Sequence, residues 1–241
     1  MKKLTLKDIV YLAIILLLVA AVVTLSVLLA YSEKKRKEGE PSYYDKKCTA
    51  FSLENAHLAK GQIVFIGDSI TDFYPLDEHY LDLPLATYNR GIAGDMTTGV
   101  LKRLQTSLFD LAPSKIVLMI GINDLDCGRS NETILANYKE ILKKIKAALP
   151  DAKVFCMSVL PQHEAAESFL PTTVEENNKR IAALDEEIAS CAHSFDYTYV
   201  DVASSVSDDK GRLRKELSDD GLHLNAAGYV IWTSVLKPYL Q

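Results

Sequence analysis

The chain has 241 residues, of which 48% are hydrophobic and 24% charged. That is one ordinary domain with a small appendage, and it is too apolar for a disordered chain. The formal charge of −5 is unevenly spread: residues 1–38 hold seven Lys/Arg and three Asp/Glu, so residues 39–241 carry 20 bases and 29 acids, a net −9. A body this acidic repels a phosphate backbone, which excludes nucleic-acid binding as a first reading.

Residues 1–8 form a short tail carrying Lys2, Lys3 and Lys7. Residues 9–30 then run for 22 positions without a charge, with Tyr11, Thr24 and Ser26 as the only polar-capable side chains. As a helix this stretch is roughly 33 Å long, enough to cross a hydrocarbon core. A buried core helix would show a polar stripe, and this one has none. A signal peptide would be shorter, and a cut after Ala30 would place Leu28 where a small residue is needed. The expectation is an uncleaved, single-pass membrane anchor. Lys34, Lys35, Arg36 and Lys37 beyond it nearly balance the basic tail, so flanking charge orients the span weakly. A long body behind one N-terminal anchor is expected on the extracytoplasmic side. Residues 31–47 are polar, include Gly39 and Pro41, and read as a tether; the body is 48–241.

In the body, apolar runs at 62–66, 85–88, 115–120, 153–159 and 197–202 predict strands. Continuous apolar runs fit parallel strands buried on both faces. Between them lie helical periods: Val100, Leu101, Leu104 and Leu108, then Ile134, Leu135, Tyr138, Ile141, Leu142, Ile145 and Leu149, closed by Pro150. Thr172 and Glu175 read as a capping box before Ile181, Leu184 and Ile188. Asn225 reads as the cap of a last helix carrying Val230, Ile231, Val235 and Leu236. Five strands alternating with helices imply an α/β fold with a doubly wound parallel sheet. Cys48, Cys127, Cys156 and Cys191 show no CxxC spacing, which argues against zinc; one disulfide outside the cell stays open, with no pairing deducible.

Ligands of such sheets bind outside the carboxyl ends of the strands. There the chain places Gly67-Asp68-Ser69, Asn89 to Asp95 with Gly94, Gly121-Ile122-Asn123-Asp124 and, near the C-terminus, Asp220-Gly221-Leu222-His223. A serine becomes a nucleophile when a base takes its proton, and His223 is suited to that task. Asp220, three residues earlier, can orient the imidazole if the turn is helix-like. The N–H groups of Ser69 and Gly94 and the amide of Asn123 are candidate donors to an oxyanion. Taken singly, Ser69 also fits a helix cap, Gly94 a plain turn and Asn123 an Asx-turn. Asp68, Asp95 and Asp124 read as loop supports, and Asp208-Asp209-Lys210-Gly211 as a turn and not a calcium loop. His57, His79, His163 and His193 read as surface or packing residues. The absence of Gly-Xaa-Ser-Xaa-Gly argues against an α/β-hydrolase elbow.

These four blocks, in this order over residue 60 to the C-terminus, resemble the SGNH or GDSL-type hydrolases, a family named for its Ser, Gly, Asn and His. Ser69, Gly94, Asn123 and the Asp220/His223 pair match them in turn, and Ile70 stands where the name motif has Leu. Bacterial lysophospholipase-like and acetylhydrolase-like members are the most similar. The resemblance implies a flavodoxin-like three-layer fold, no metal or organic cofactor, and an esterase acting on acyl esters of lipid or carbohydrate through an acyl-enzyme on Ser69. An acyltransferase would use the same site but exclude water. A non-catalytic, tethered polysaccharide- or lipid-binding module would tolerate a missing Ser, His or Asn, and all are present.

Overall fold

The computed structural model describes residues 18–19, 22–28 and 41–241. They fall in two compact units, Met1–Asp45 and Lys46–Gln241. In the first, the described residues 18–19 and 22–28 are helical, and Leu18, Val22, Val23, Leu25, Val27 and Leu28 are exposed. Most of the expected 9–30 span lies outside the described residues; among those described, no helix is long and apolar enough to cross a membrane. Helix α1 (Tyr43–Asn55) begins inside the segment read as a tether.

The second unit is built on β1 (Ile63–Gly67), β2 (Thr87–Gly91), β3 (Lys115–Met119), β4 (Lys153–Met157) and β5 (Thr198–Val200), all parallel, in the order β2-β1-β3-β4-β5. This is the flavodoxin-like order, with its switch point between β1 and β3. Phe65, Val117 and Phe155 are in register and share one face; Ile66, Leu118 and Cys156 share the other. The C-terminal helix α9 (Ala226–Leu240) covers the first face, with Tyr239 against Phe155 at 5.9 Å between ring centroids. Helix α6 (Asn131–Ala148) covers the second, with Tyr138 against Cys156. Helices on both faces explain why every residue of β1 is buried.

The long helices bury the stripes expected of them. Helix α4 (Thr97–Ser107) buries Val100 and Leu104, and helix α7 (Val174–Ser194) buries Ile181, Leu184 and Ile188. Four expectations shift. The cap of α7 is Thr173, whose Oγ1 accepts the Glu176 N–H at 3.2 Å, one residue later than the Thr172–Glu175 pairing. The core face of α9 is Tyr229, Trp232, Leu236 and Leu240, and Val230 points to solvent, because the two aromatic rings follow the 3.6-residue period better than the valine does. Strand β4 stops at Met157 and β5 at Val200, since Ser158 Oγ takes the Val202 and Ala203 N–H groups at 2.9 Å and turns the chain. Strand β2 runs through Asn89-Arg90-Gly91, past the 85–88 run expected for it. There Asn89 Nδ2 donates to Thr71 O at 2.6 Å, and Arg90 lies over the Phe51 ring at 4.6 Å, so tertiary partners satisfy the polar side chains of this edge strand. Among the described residues all four cysteines are free thiols.

Candidate active site

The register of β1 with its neighbours brings the blocks together. Gly67, the last residue of β1, pairs with Gly91 of β2 and Met119 of β3, so three strand ends finish side by side. After β1, Asp68 caps the short helix α2 (Ser69–Asp72), its carboxylate accepting the Ile70 N–H at 3.0 Å. Asp68, and not Ser69, is therefore the cap, which leaves the Ser69 hydroxyl for other work. Ser69 Oγ lies 2.8 Å from His223 Nε2, and His223 Nδ1 lies 2.6 Å from Asp220 Oδ2. With Nδ1–H donated to the carboxylate, Nε2 accepts the serine O–H. That is the tautomer a general base needs.

The loop that carries this pair is held tightly. Asp220 Oδ1 accepts the N–H groups of Leu222 at 2.9 Å and His223 at 2.8 Å. Partial burial works against the charge on Asp220, but the bonds from His223 Nδ1 and from these two N–H groups outweigh it and hold the carboxyl down to about 2. It stays an anion wherever the imidazole is active. Gly221 has φ +86°, and a Cβ there would stand 2.6 Å from Ala166 N, so glycine lets the His163 loop pack against this turn. His163, buried, donates its N–H to Gly221 O at 3.0 Å. Its Nδ1 accepts the Ala165 N–H at 3.2 Å, leaving Nε2 to donate to Ser218 O at 3.2 Å. The packing role expected of His163 thus amounts to bracing the Asp220–His223 loop.

The oxyanion candidates follow the ends of β1, β2 and β3. Gly94 has φ +76°, a conformation that favours glycine, and the space a Cβ would fill is open. Among the described residues the N–H groups of Ser69 and Gly94 have no protein acceptor. Asn123, in helix α5 (Ile122–Asp126), donates from Nδ2 to Asp95 O at 2.9 Å. This bond crosses from the β3 end to the β2 loop, and so replaces the Asx-turn reading. One Nδ2–H is used and the second remains.

Asp95 and Asp124 support the loops as expected, Asp95 Oδ1 accepting the Met96 N–H at 2.9 Å, and Asp95 also has a partner that the sequence reading missed. Arg103, almost wholly buried, donates to Asp95 Oδ2 at 2.7 Å, to Arg90 O at 2.6 Å and to Gly67 O at 2.8 Å, tying the ends of β1 and β2 to the Gly94 loop. Asp124 accepts from Thr97 N at 2.8 Å and from Arg129 Nη1 at 2.8 Å. The signal for Arg103 was present: it falls on the apolar face of α4, three residues after Val100, where a charge must find partners. Asp72 was also missed; it accepts the Ala93 N–H at 2.9 Å beside Gly94. A cavity of about 830 Å³ is lined by residues such as Glu164, Thr173, Asn178 and Arg212, and by none of the five candidates, so it is separate from the Ser69–His223 pair.

Asp68 is buried, and its Oδ2 has no hydrogen-bond partner among the described residues. Burial, resisted by the Ile70 N–H, lifts its carboxyl to about 7. An unfolded Asp titrates near ~3.9, so between those values the folded state keeps a proton that the unfolded state has released. Stability from this group is therefore lost as pH rises from about 4 to about 7 and is level above. Asp68→Asn is expected to gain stability on wild type across that window, with a constant difference above it. Denaturant titrations from pH 4 to 8.5 check this, and a difference independent of pH would contradict it.

Residues 65–231, which span Ser69 to His223, match the GDSL-like Lipase/Acylhydrolase family. The chain is 29% identical over 171 residues to platelet-activating factor acetylhydrolase IB subunit alpha1 of Bos taurus, covering 70% of each chain. It is 26% identical over 179 residues to the alpha2 subunit of Rattus norvegicus, covering 73% of each. A structure from Streptococcus pneumonia described as a platelet activating factor superposes with a TM-score of 0.76 at 28% identity, covering 90% of this chain and 99% of that one. A GDSL-like lipase from Bacteroides thetaiotaomicron shares the fold, with a TM-score of 0.69 at 23% identity, covering 83% of this chain and 98% of that one. The chain belongs to the GDSL-like lipase/acylhydrolase family and is a serine hydrolase acting on carboxylic ester bonds.

Proposed function

We propose that the protein is a membrane-anchored esterase that removes acetyl or other short acyl groups from lipid or carbohydrate alcohols through an acyl-enzyme on Ser69. The observation that carries this reading is the relay of two contacts, Ser69 Oγ to His223 Nε2 at 2.8 Å and His223 Nδ1 to Asp220 at 2.6 Å. Ser69 Oγ attacks the ester carbonyl while His223 Nε2 takes its proton and Asp220 steadies the imidazolium. The N–H groups of Ser69 and Gly94 and the free Nδ2–H of Asn123 receive the oxyanion. His223 returns the proton to the departing alcohol. Water, deprotonated by the same imidazole, then attacks the acyl-enzyme, and the acid leaves with Ser69 regenerated. The acetyl preference is supported by the similarity to proteins named as acetylhydrolases.

Residues 9–30 serve as the anchor, 31–47 as the link and 48–241 as the hydrolase, which stands outside the cytoplasm. The support is the 22-residue uncharged run and the exposure of Val22, Val23, Leu25, Val27 and Leu28, which lipid would cover. One experiment tests both halves. The full chain is expected to sediment with membranes, to need detergent for release, and to hydrolyse p-nitrophenyl acetate faster than longer-chain esters. Removal of residues 1–38 is expected to give an active protein that needs no detergent. A full chain extracted by carbonate alone would overturn the anchor, and absence of turnover on every ester would overturn the esterase.

A further inference from the structure

Phe73 follows Ser69 by four residues and closes helix α2, its N–H donating to Ser69 O at 2.9 Å. The residues on either side of it are engaged. Asp72 pairs with Lys47 at 2.7 Å and takes the Ala93 N–H. Tyr74 is buried, stacked on Tyr229 at 4.7 Å and hydrogen-bonded to Thr233 at 2.6 Å. The backbone at Phe73 is thus pinned from both sides, while the residue as a whole is 53% exposed. The ring centroid lies 5.2 Å from that of His223. A single exposed aromatic is ordinary on a protein surface. One held beside a reactive imidazole has a defined neighbour during catalysis.

In the tetrahedral intermediate the oxyanion points to the donors at the β1, β2 and β3 ends, and the alcohol oxygen must face His223 Nε2 to collect its proton. What flanks His223 on the solvent side therefore meets the alcohol half and not the acyl half. We propose that Phe73 is the platform of the leaving-group subsite, taking alcohols that present an apolar C–H face next to the ester oxygen. The inference rests on the proposed roles of Ser69 and His223.

The balance of bonds supplies the test. Ser69 Oγ–C forms, C–O to the alcohol breaks, and the proton held on His223 Nε2 passes to the alkoxide; the alcohol then leaves, before water enters. All acetates share one acetyl-enzyme, so kcat/KM reports the only steps in which the alcohol is present. The assay compares cyclohexyl acetate with methyl acetate on the full chain in wild type, F73A, F73L and F73W. F73A is expected to lower the cyclohexyl-to-methyl ratio of kcat/KM by about tenfold, the scale of a lost apolar contact, with F73W keeping the preference and F73L intermediate. An unchanged ratio, whether both rates fall together or neither falls, overturns the proposal, because a ring that only steadies His223 cannot tell the two alcohols apart. If F73A does not fold, the ratios in F73L and F73W decide. Hexyl acetate and a monoacetylated methyl glucoside, run in the same series, separate a lipid-like from a carbohydrate alcohol; selective loss on either supports the platform and loss on neither overturns it. Wild-type turnover that survives Ser69→Ala would instead sink the underlying reading.

Discussion

Ser69→Ala is expected to lower kcat for ester hydrolysis by about 10⁴–10⁶, with the fold intact. The loss is large because the attacking oxygen itself is removed. The Ser218 hydroxyl, on the same loop as Asp220, is already engaged by the Gly221 N–H at 2.9 Å. The His223 imidazole would keep its tautomer through Asp220 but would have no hydroxyl to deprotonate. Stability is expected to change little, since the variant removes one hydrogen bond, from Oγ to a partly buried imidazole, worth about 1 kcal/mol. A fluorophosphonate probe should label wild type at Ser69 and leave the variant unlabelled. Labelling at another residue, or turnover within tenfold of wild type, would remove Ser69 as nucleophile.

Asn123→Ala carries the second large effect, and here two roles must be separated. The amide holds Asp95 O at 2.9 Å, a bond that steadies the Gly94 loop and is worth about 1 kcal/mol. Its second N–H is the proposed oxyanion donor, and that contact exists only in the transition state. Loss of one such donor costs about 10²–10³ in kcat with KM little changed. If Asn123 served the loop alone, kcat would fall by less than about tenfold, in step with the small loss of stability. Asn123→Asp sharpens the contrast, because it sets a negative acceptor against the developing negative charge and against Asp95 O. It is expected to be at least as inactive as Asn123→Ala. Steady-state kinetics beside melting curves on both variants check this, and a fully active Asn123→Asp would take Asn123 out of the site.

The blocks around Ser69, Gly94, Asn123 and Asp220/His223 were legible because a parallel sheet sends every strand's carboxyl end to one edge. Apolar runs mark where strands end, so residues just beyond them share a rim whatever the pairing order. The stripes of α4, α6 and α7 were legible for a similar reason, since burial of one helix face is written in the 3.6-residue period. The apolar run stops short of the end of β2, because Asn89 and Arg90 tolerate a strand only through Thr71, Asn55 and Phe51, none of them adjacent in the chain. The same holds for Arg103. Its place on an apolar face signalled that it must be paired, but Asp95, Arg90 O and Gly67 O become its partners only when β1, β2 and α4 are packed.

The chain by itself therefore determined the residue types of the candidate site, their order and the edge of the sheet where they lie. Tertiary structure alone decided the long-range contacts: that Asn123 reaches Asp95 and not its own turn, that His163 braces the Asp220 loop, and that Phe73 stands exposed beside His223. The physical reason is range. Periodicity and turn chemistry act over a few residues, whereas each of these contacts joins segments far apart in the chain, and their angstrom-scale geometry exists only once the sheet has closed.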